Sequence, residues 1–229
     1  GMYGNKPLAR KGKLILTYAD GTEESICSDT SWRSSTAGPV RSGDIYNGET
    51  YDARLESQWS SAGYDDSEWQ GTAISTDFNG TIRAFEGPIV KAVPALARHP
   101  KTITIYEGST NANGSLGSVN VISETSGTSS LSLKAGQTAV IDLAQNAAGW
   151  ISFKAKGNRG TRIRVRFGEM LNTSGNSSRG DDGPKGSIYT ANLRSAAATV
   201  KYTLKGDPDG ESYHPTTSFF GFRYMEIVA

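Results

Sequence analysis

The chain has 229 residues and a formal net charge of +1, with 36% hydrophobic and 21% charged residues. That length fits one large or two modest domains, and the composition supports a packed core and excludes general disorder. The balanced charge gives no electrostatic reason for a nucleic-acid partner, and the single Cys27 excludes an intrachain disulfide or a thiolate metal cluster.

Gly1 before Met2 reads as the scar of a removed tag, so residues 1–12 are taken as tag remnant and start. No apolar run approaches the roughly 20 residues of a membrane helix, so no membrane partner is expected. The first strand signal is Leu14, Leu16 and Tyr18 alternating with Ile15 and Thr17, followed by the turn pair Asp20-Gly21.

The string DIYNGETYDAR, Asp44 to Arg54, comes next. It lacks the period of a buried helix and is too polar for a buried strand. It reads either as a solvated loop or as a surface that recognises something polar and ring-shaped. Trp59 and the turn YDDSEW lie just beyond it, and a change of composition between Gly71 and Pro94 marks a passage between two β-units, meeting around residues 85–95.

In the second half Ile103 and Ile105 alternate with threonines, and Ile151, Phe153 and Ala155 with polar residues. Ile163, Val165 and Phe167 alternate with Arg162, Arg164 and Arg166, and Val200, Tyr202 and Leu204 with Lys201, Thr203 and Lys205. Such alternation means antiparallel sheet with one dry and one wet face. Many short strands between Gly, Asn and Asp turns make an all-β, antiparallel β-sandwich or jelly-roll architecture. The units are placed at residues 13–88 and 89–229.

The basic residues read as a solvated face, since no aromatics interleave with them as in a nucleic-acid platform. Three stretches read as loops: 108–117, 123–130 and 172–186. The Asp181-Asp182 pair of the last offers hard oxygen ligands for calcium, without the spacing of a helix-loop-helix calcium site, so a mobile surface loop is the plainer reading. Trp150 is expected in the core, and Arg223 and Glu169 are candidates for an ion pair or for a surface facing another domain.

SWRSSTAGPVRSGDIYNGETYDAR with Trp59 and YDDSEW resembles the N-terminal region of bacterial α-L-rhamnosidases. DLAQNAAGW (142–150), GTRIRVRFGEML (160–171), YTANLR (189–194), YTLKG (202–206) and FFGFRYMEI (219–227) follow in that family's order. The resemblance covers about Lys13 to Val228. It implies two non-catalytic β-sandwich units ahead of an (α/α)-barrel that cleaves terminal L-rhamnose with inversion, in a parent enzyme that is periplasmic or extracellular. The first unit is expected to be incomplete at its start.

On that resemblance the partner is a rhamnose-containing glycan, with a catalytic barrel normally on the same chain. Asn47, Glu49, Tyr51, Asp52, Arg54 and Trp59 are the candidate sugar contacts: aromatic faces for the pyranose, amide, carboxylate and guanidinium groups for its hydroxyls. Some rhamnosidase accessory modules bind rhamnose with calcium, and Asp44, Glu49 and Asp52 are the candidate oxygen ligands. Against this stands a structural network with Asp52 and Arg54 paired and the tyrosines packed. No carboxylate sits in a diagnostic catalytic motif, so the chain by itself is not expected to hydrolyse glycosides. A purely structural unit that positions the barrel is the alternative function.

Overall fold

A computed structural model describes residues 9–76, 80–83, 85–111 and 115–229. The fold is all-β. Among the described residues the only helical elements are four 3-10 turns of three residues each. The chain forms two compact units, residues 1–37 with 57–89, and residues 38–56 with 90–229. The segment 38–56, expected in the first unit, is built into the second, because its strand is hydrogen-bonded into that unit's sheet.

In the first unit β1 (Lys13–Thr17) and β2 (Glu23–Cys27) form the antiparallel hairpin the sequence indicates. Gly21 turns it with φ +83°, a conformation only glycine adopts cheaply, and Asp20 accepts from the Thr22 backbone and hydroxyl. Among the described residues the expected dry face does not form: Leu14 and Ile15, on opposite faces, are both about half exposed (54% and 51%). The short strands β3 (Arg33–Ser34) and β6 (Gln70–Gly71) pair in a second two-stranded sheet.

The second unit is organised by an eight-stranded sheet. Its order is β4 (Val40–Asp44), β5 (Gly48–Asp52), β14 (Thr199–Thr203), β11 (Arg162–Gly168), β16 (Phe220–Val228), β9 (Gln137–Gly149), β7 (Thr102–Thr110) and β8 (Ser118–Ser126). Neighbours run antiparallel except β5 and β14, which are parallel, so the large sheet is mixed at one pair and otherwise fits the expected antiparallel β-sandwich.

Period-two alternation divides this sheet. Val165, Phe167, Val200, Tyr202, Phe220 and Phe222 turn to one face and are buried in one cluster. Phe167 stacks on Phe220 with centroids 4.4 Å apart. The antiparallel pair β10 (Phe153–Ala155) and β15 (Glu211–Tyr213) covers that face, with Tyr213 4.5 Å from Tyr202. Trp150, expected in the core, is half-buried at the end of β9.

Parts of the expected loops are ordered instead. Residues 108–110 of the first end β7, and residues 112–114 lie outside the described residues. Residues 123–126 of the second are strand, because they end the edge strand β8, which pairs along its length with β7, and its exposed Ser, Thr and Asn need no apolar face. Residues 172–187 are closed at their base by the short pair β12 (Met170–Leu171) and β13 (Ile188–Tyr189). Buried Asn172 donates to Asp182 Oδ1 (3.0 Å) and to the Ile188 carbonyl (3.1 Å). Asp182 Oδ2 accepts from the Thr190 backbone and hydroxyl, and Asp181 Oδ2 from the Ser174 backbone and hydroxyl. The acidic pair ties the loop to itself.

Candidate functional site

The string from Asp44 to Arg54 divides by the parity of β5. Glu49 and Tyr51 point inward. Glu49 is 1% exposed. Its Oε1 accepts from the Tyr213 hydroxyl (2.8 Å), and its Oε2 from the backbone N–H groups of Thr216 and Thr217 (both 2.9 Å) and from both threonine hydroxyls. Burial pushes the carboxyl pKa up, but the bonds from Thr217, Tyr213 and Thr216 together outweigh it and leave the pKa below the ordinary value. Tyr51 stacks on Tyr202 with centroids 5.6 Å apart and donates to Glu56. Burial first, then the Glu56 charge, pushes its phenol up to about 12. Both residues serve the interior, so neither offers a free surface to a sugar.

Asp52 and Arg54 are paired with each other. Arg54 Nε donates to Asp52 Oδ1 (2.8 Å) and its Nη2 to Oδ2 (2.7 Å), and the Asp52 side chain also caps the 3-10 turn Ala53–Leu55. The guanidinium holds the Asp52 carboxyl below the usual range. Asp44 accepts from the Tyr46 and Asn47 backbones and from the Asn47 amide, and closes the β4–β5 turn. The proposed calcium trio Asp44, Glu49 and Asp52 is therefore not brought together, and among the described residues no group of three or more His, Cys, Asp or Glu is placed to hold a metal. Trp59 is exposed but belongs to the first unit.

What the outward positions build is a groove of about 450 Å³ on the wet face of the sheet. Its floor is Ser42 of β4, Thr50 of β5, Lys201 of β14, and Arg164 and Arg166 of β11. Asp44 and Asn47 stand at the β4–β5 turn, and Thr190, Leu193 and Arg194 of the segment after β13 close the opposite wall. Gly48, with φ +99°, makes the turn possible: a Cβ there would run into the Thr199 carbonyl. The groove is polar and cationic, and Arg164 and Arg166 share one carboxylate, the buried Glu226, at 3.6 Å and 3.0 Å.

Of the six sequence-predicted contacts, only Asn47 lines this groove; of the calcium candidates, only Asp44 does. The sequence reading placed Arg164, Arg166 and Lys201 on a solvated face and did not place them in a site. The available signal was two neighbouring runs, 162–166 and 201–205, both alternating basic with apolar residues. Arg223 pairs with Asp142 rather than Glu169, through Nε and Nη2 at 2.8 Å each, while Glu169 accepts from Asn146 and Asn192.

Comparison with known proteins places this architecture. The α-L-rhamnosidase N-terminal domain family matches residues 1–94, and the bacterial α-L-rhamnosidase concanavalin-like domain family matches residues 133–229. An α-L-rhamnosidase of Streptomyces avermitilis is 36% identical over 227 residues, 99% of this chain and 18% of that protein. One from Formosa agariphila is 34% identical over 215 residues, 93% of this chain and 19% of that protein. Among solved structures, native α-L-rhamnosidase from Aspergillus terreus superimposes with a TM-score of 0.65 at 30% identity, over 94% of this chain and 20% of that one. The Streptomyces avermitilis enzyme complexed with L-rhamnose gives 0.57 at 33%, over 94% and 17%. The chain thus spans about a fifth of the length of the relatives it matches. With the two families matched in order along a single chain, this chain is made of the N-terminal and concanavalin-like domains of α-L-rhamnosidases.

Proposed function

We propose that this chain is the carbohydrate-recognition and scaffold region of an α-L-rhamnosidase-type glycoside hydrolase acting on rhamnose-containing glycans. The observation that carries the reading is the 450 Å³ groove, a size within the roughly 300–1,000 Å³ of ligand sites. Its hydroxyl and guanidinium groups are of the kind that pair with sugar hydroxyls, and Ser42, Thr50, Arg164 and Arg166 stand on sheet strands rather than on free loops. Titration calorimetry with L-rhamnose and with a rhamnose-containing oligosaccharide tests it. Binding in the mM to tens of μM range is expected. Ser42→Trp, which fills the groove from an exposed position on the edge strand β4, should abolish it with an unchanged circular dichroism spectrum. Full-strength binding by that variant would sink the reading.

A different observation favours a purely structural role for the first unit, packing against and positioning a catalytic (α/α)-barrel. The β1–β2 hairpin exposes apolar residues on both faces, and Phe85 and Ile89 are 76% and 70% exposed. A lone two-stranded hairpin is marginal in water, and exposed apolar surface of this kind marks docking faces. Hydrogen exchange on this chain should find the amides of residues 13–27 exchanging far faster than those of β11 and β14. Equal protection would remove the argument.

A further inference from the structure

Three features of the groove each break a local rule of stability. Arg164 of β11 and Lys201 of β14 are direct cross-strand partners, an arrangement of like charges that destabilises a sheet. Among the described residues Lys201 has no carboxylate partner, and Arg164 has only the Glu226 oxygen at 3.6 Å that it shares with Arg166. The Nε of Arg166 is buried with no hydrogen-bond partner, a loss that a folded protein ordinarily avoids. Arg194, on the opposite wall, sits at φ +56°, a strained conformation for a non-glycine residue. Four cationic side chains thus line one recess, and among the described residues that line it the one carboxylate, Asp44, is already engaged by the Tyr46 and Asn47 donors.

Local rules broken together at one place indicate a site whose compensation comes from a ligand. An anion would supply it: one carboxylate accepts from two guanidinium or ammonium groups at once and relieves the Arg164–Lys201 repulsion. Ser42 and Thr50, which line the same groove, offer the hydroxyl partners that a bare anion would not use. We infer that the groove selects an acidic saccharide, a glycan unit carrying a uronate carboxylate beside its neutral sugars. This rests on the reading of the groove as a carbohydrate site, and it narrows that reading from neutral sugar to a carboxylated one.

The test compares D-galacturonate, D-galactose, sodium acetate and a hexaglutamate peptide by calorimetry on the full chain at low salt. Galacturonate should bind at least about tenfold more tightly than galactose or acetate, with an affinity that falls as salt rises. In the double variant Arg164→Gln with Lys201→Gln it should weaken by about tenfold or more. That variant should melt no lower than the parent, since it removes a like-charge pair. Equal binding of galactose and galacturonate would overturn the acidic-sugar inference and leave the sugar site standing. Binding of neither would overturn both. Acetate or the glutamate peptide matching galacturonate would show an unspecific anion or a protein contact and overturn the inference, as would undiminished binding by the double variant.

Discussion

Replacing Glu49 with alanine should unfold the second unit's edge rather than subtract a ligand contact. The carboxylate is 1% exposed and receives the Tyr213 hydroxyl and the Thr216 and Thr217 backbone N–H groups. Orphaning a buried donor costs about 1–3 kcal/mol. Three of them, partly relieved by water entering the space vacated, come to about 3–5 kcal/mol, in line with breaking a buried charged network. Against a total of about 5–15 kcal/mol that is a large share. At an m-value of about 2 kcal/mol/M the urea midpoint should fall by roughly 2 M. Glu49→Gln should cost less, because the amide can donate to the Tyr213 oxygen while its carbonyl faces the threonines. Since the folded carboxyl is held below its unfolded value, near 4.3, the stabilisation is present above that value and is lost as pH falls through the folded pKa. Glu49→Gln should therefore flatten part of the acid limb of the stability curve. A Glu49→Ala protein within about 1 kcal/mol of the parent would refute the structural assignment.

Gly48→Ala should lose about 2 kcal/mol or more in urea unfolding, because it adds both a positive-φ penalty and a clash with the Thr199 carbonyl. Arg223→Gln should cost only about 0.5–1 kcal/mol, since the bidentate pair with Asp142 is partly solvated, and the cost should shrink in 1 M salt, as thermal melts at two ionic strengths would show. Purified chain should release no phenol from an aryl α-L-rhamnoside; turnover that disappears on mutating a carboxylate of this chain would contradict that expectation.

Where a strand has two neighbours and one dry face, its residues announce it. Arg162 to Phe167 is such a case, flanked by β14 and β16, and its alternation is legible without any structure. The edge strand β8 is not legible, because with one neighbour it can be written in serine and threonine. Glu49 defeats sequence reading for a different reason. Its five donors come from residues 213 to 217, more than 160 positions away, so a buried carboxylate and a solvated one look alike until the chain closes on itself. The DIYNGETYDAR string reads in sequence as a loop, a recognition surface or a packed network, each a single environment. It spans two, because a strand sends successive side chains to opposite faces, and Glu49 and Tyr51 go to the interior while Thr50 goes to the groove. The groove is also assembled from three distant segments, 42–50, 164–166 and 190–201, of which only the first carries residues that the sequence marks as a candidate site.

A net charge of +1 conceals a division of labour between the two signs. The fixed carboxylates of the second unit are consumed internally. Glu49 holds residues 213 to 217; Asp182 holds Thr190; Asp181 holds Ser174; Glu211 accepts from the Tyr202 hydroxyl and the Lys205 and Gly206 backbones. Burial pushes the pKa of Glu49, Asp182 and Glu211 up, yet their hydrogen bonds bring each below the ordinary value. Arg54 holds Asp52 down, Arg223 holds Asp142 down, and the Ser174 hydroxyl holds Asp181 down. A glycosidase acid needs the opposite, a carboxyl kept protonated by a raised pKa. These carboxylates are tuned to stay ionised and to accept, which is the chemistry of loop anchors. Arg164, Arg166, Arg194 and Lys201 are then left lining one recess, where Arg164 and Arg166 share the single carboxylate of Glu226. Acids engaged in folding beside bases gathered in one recess support the proposed role of that recess in holding an anionic ligand.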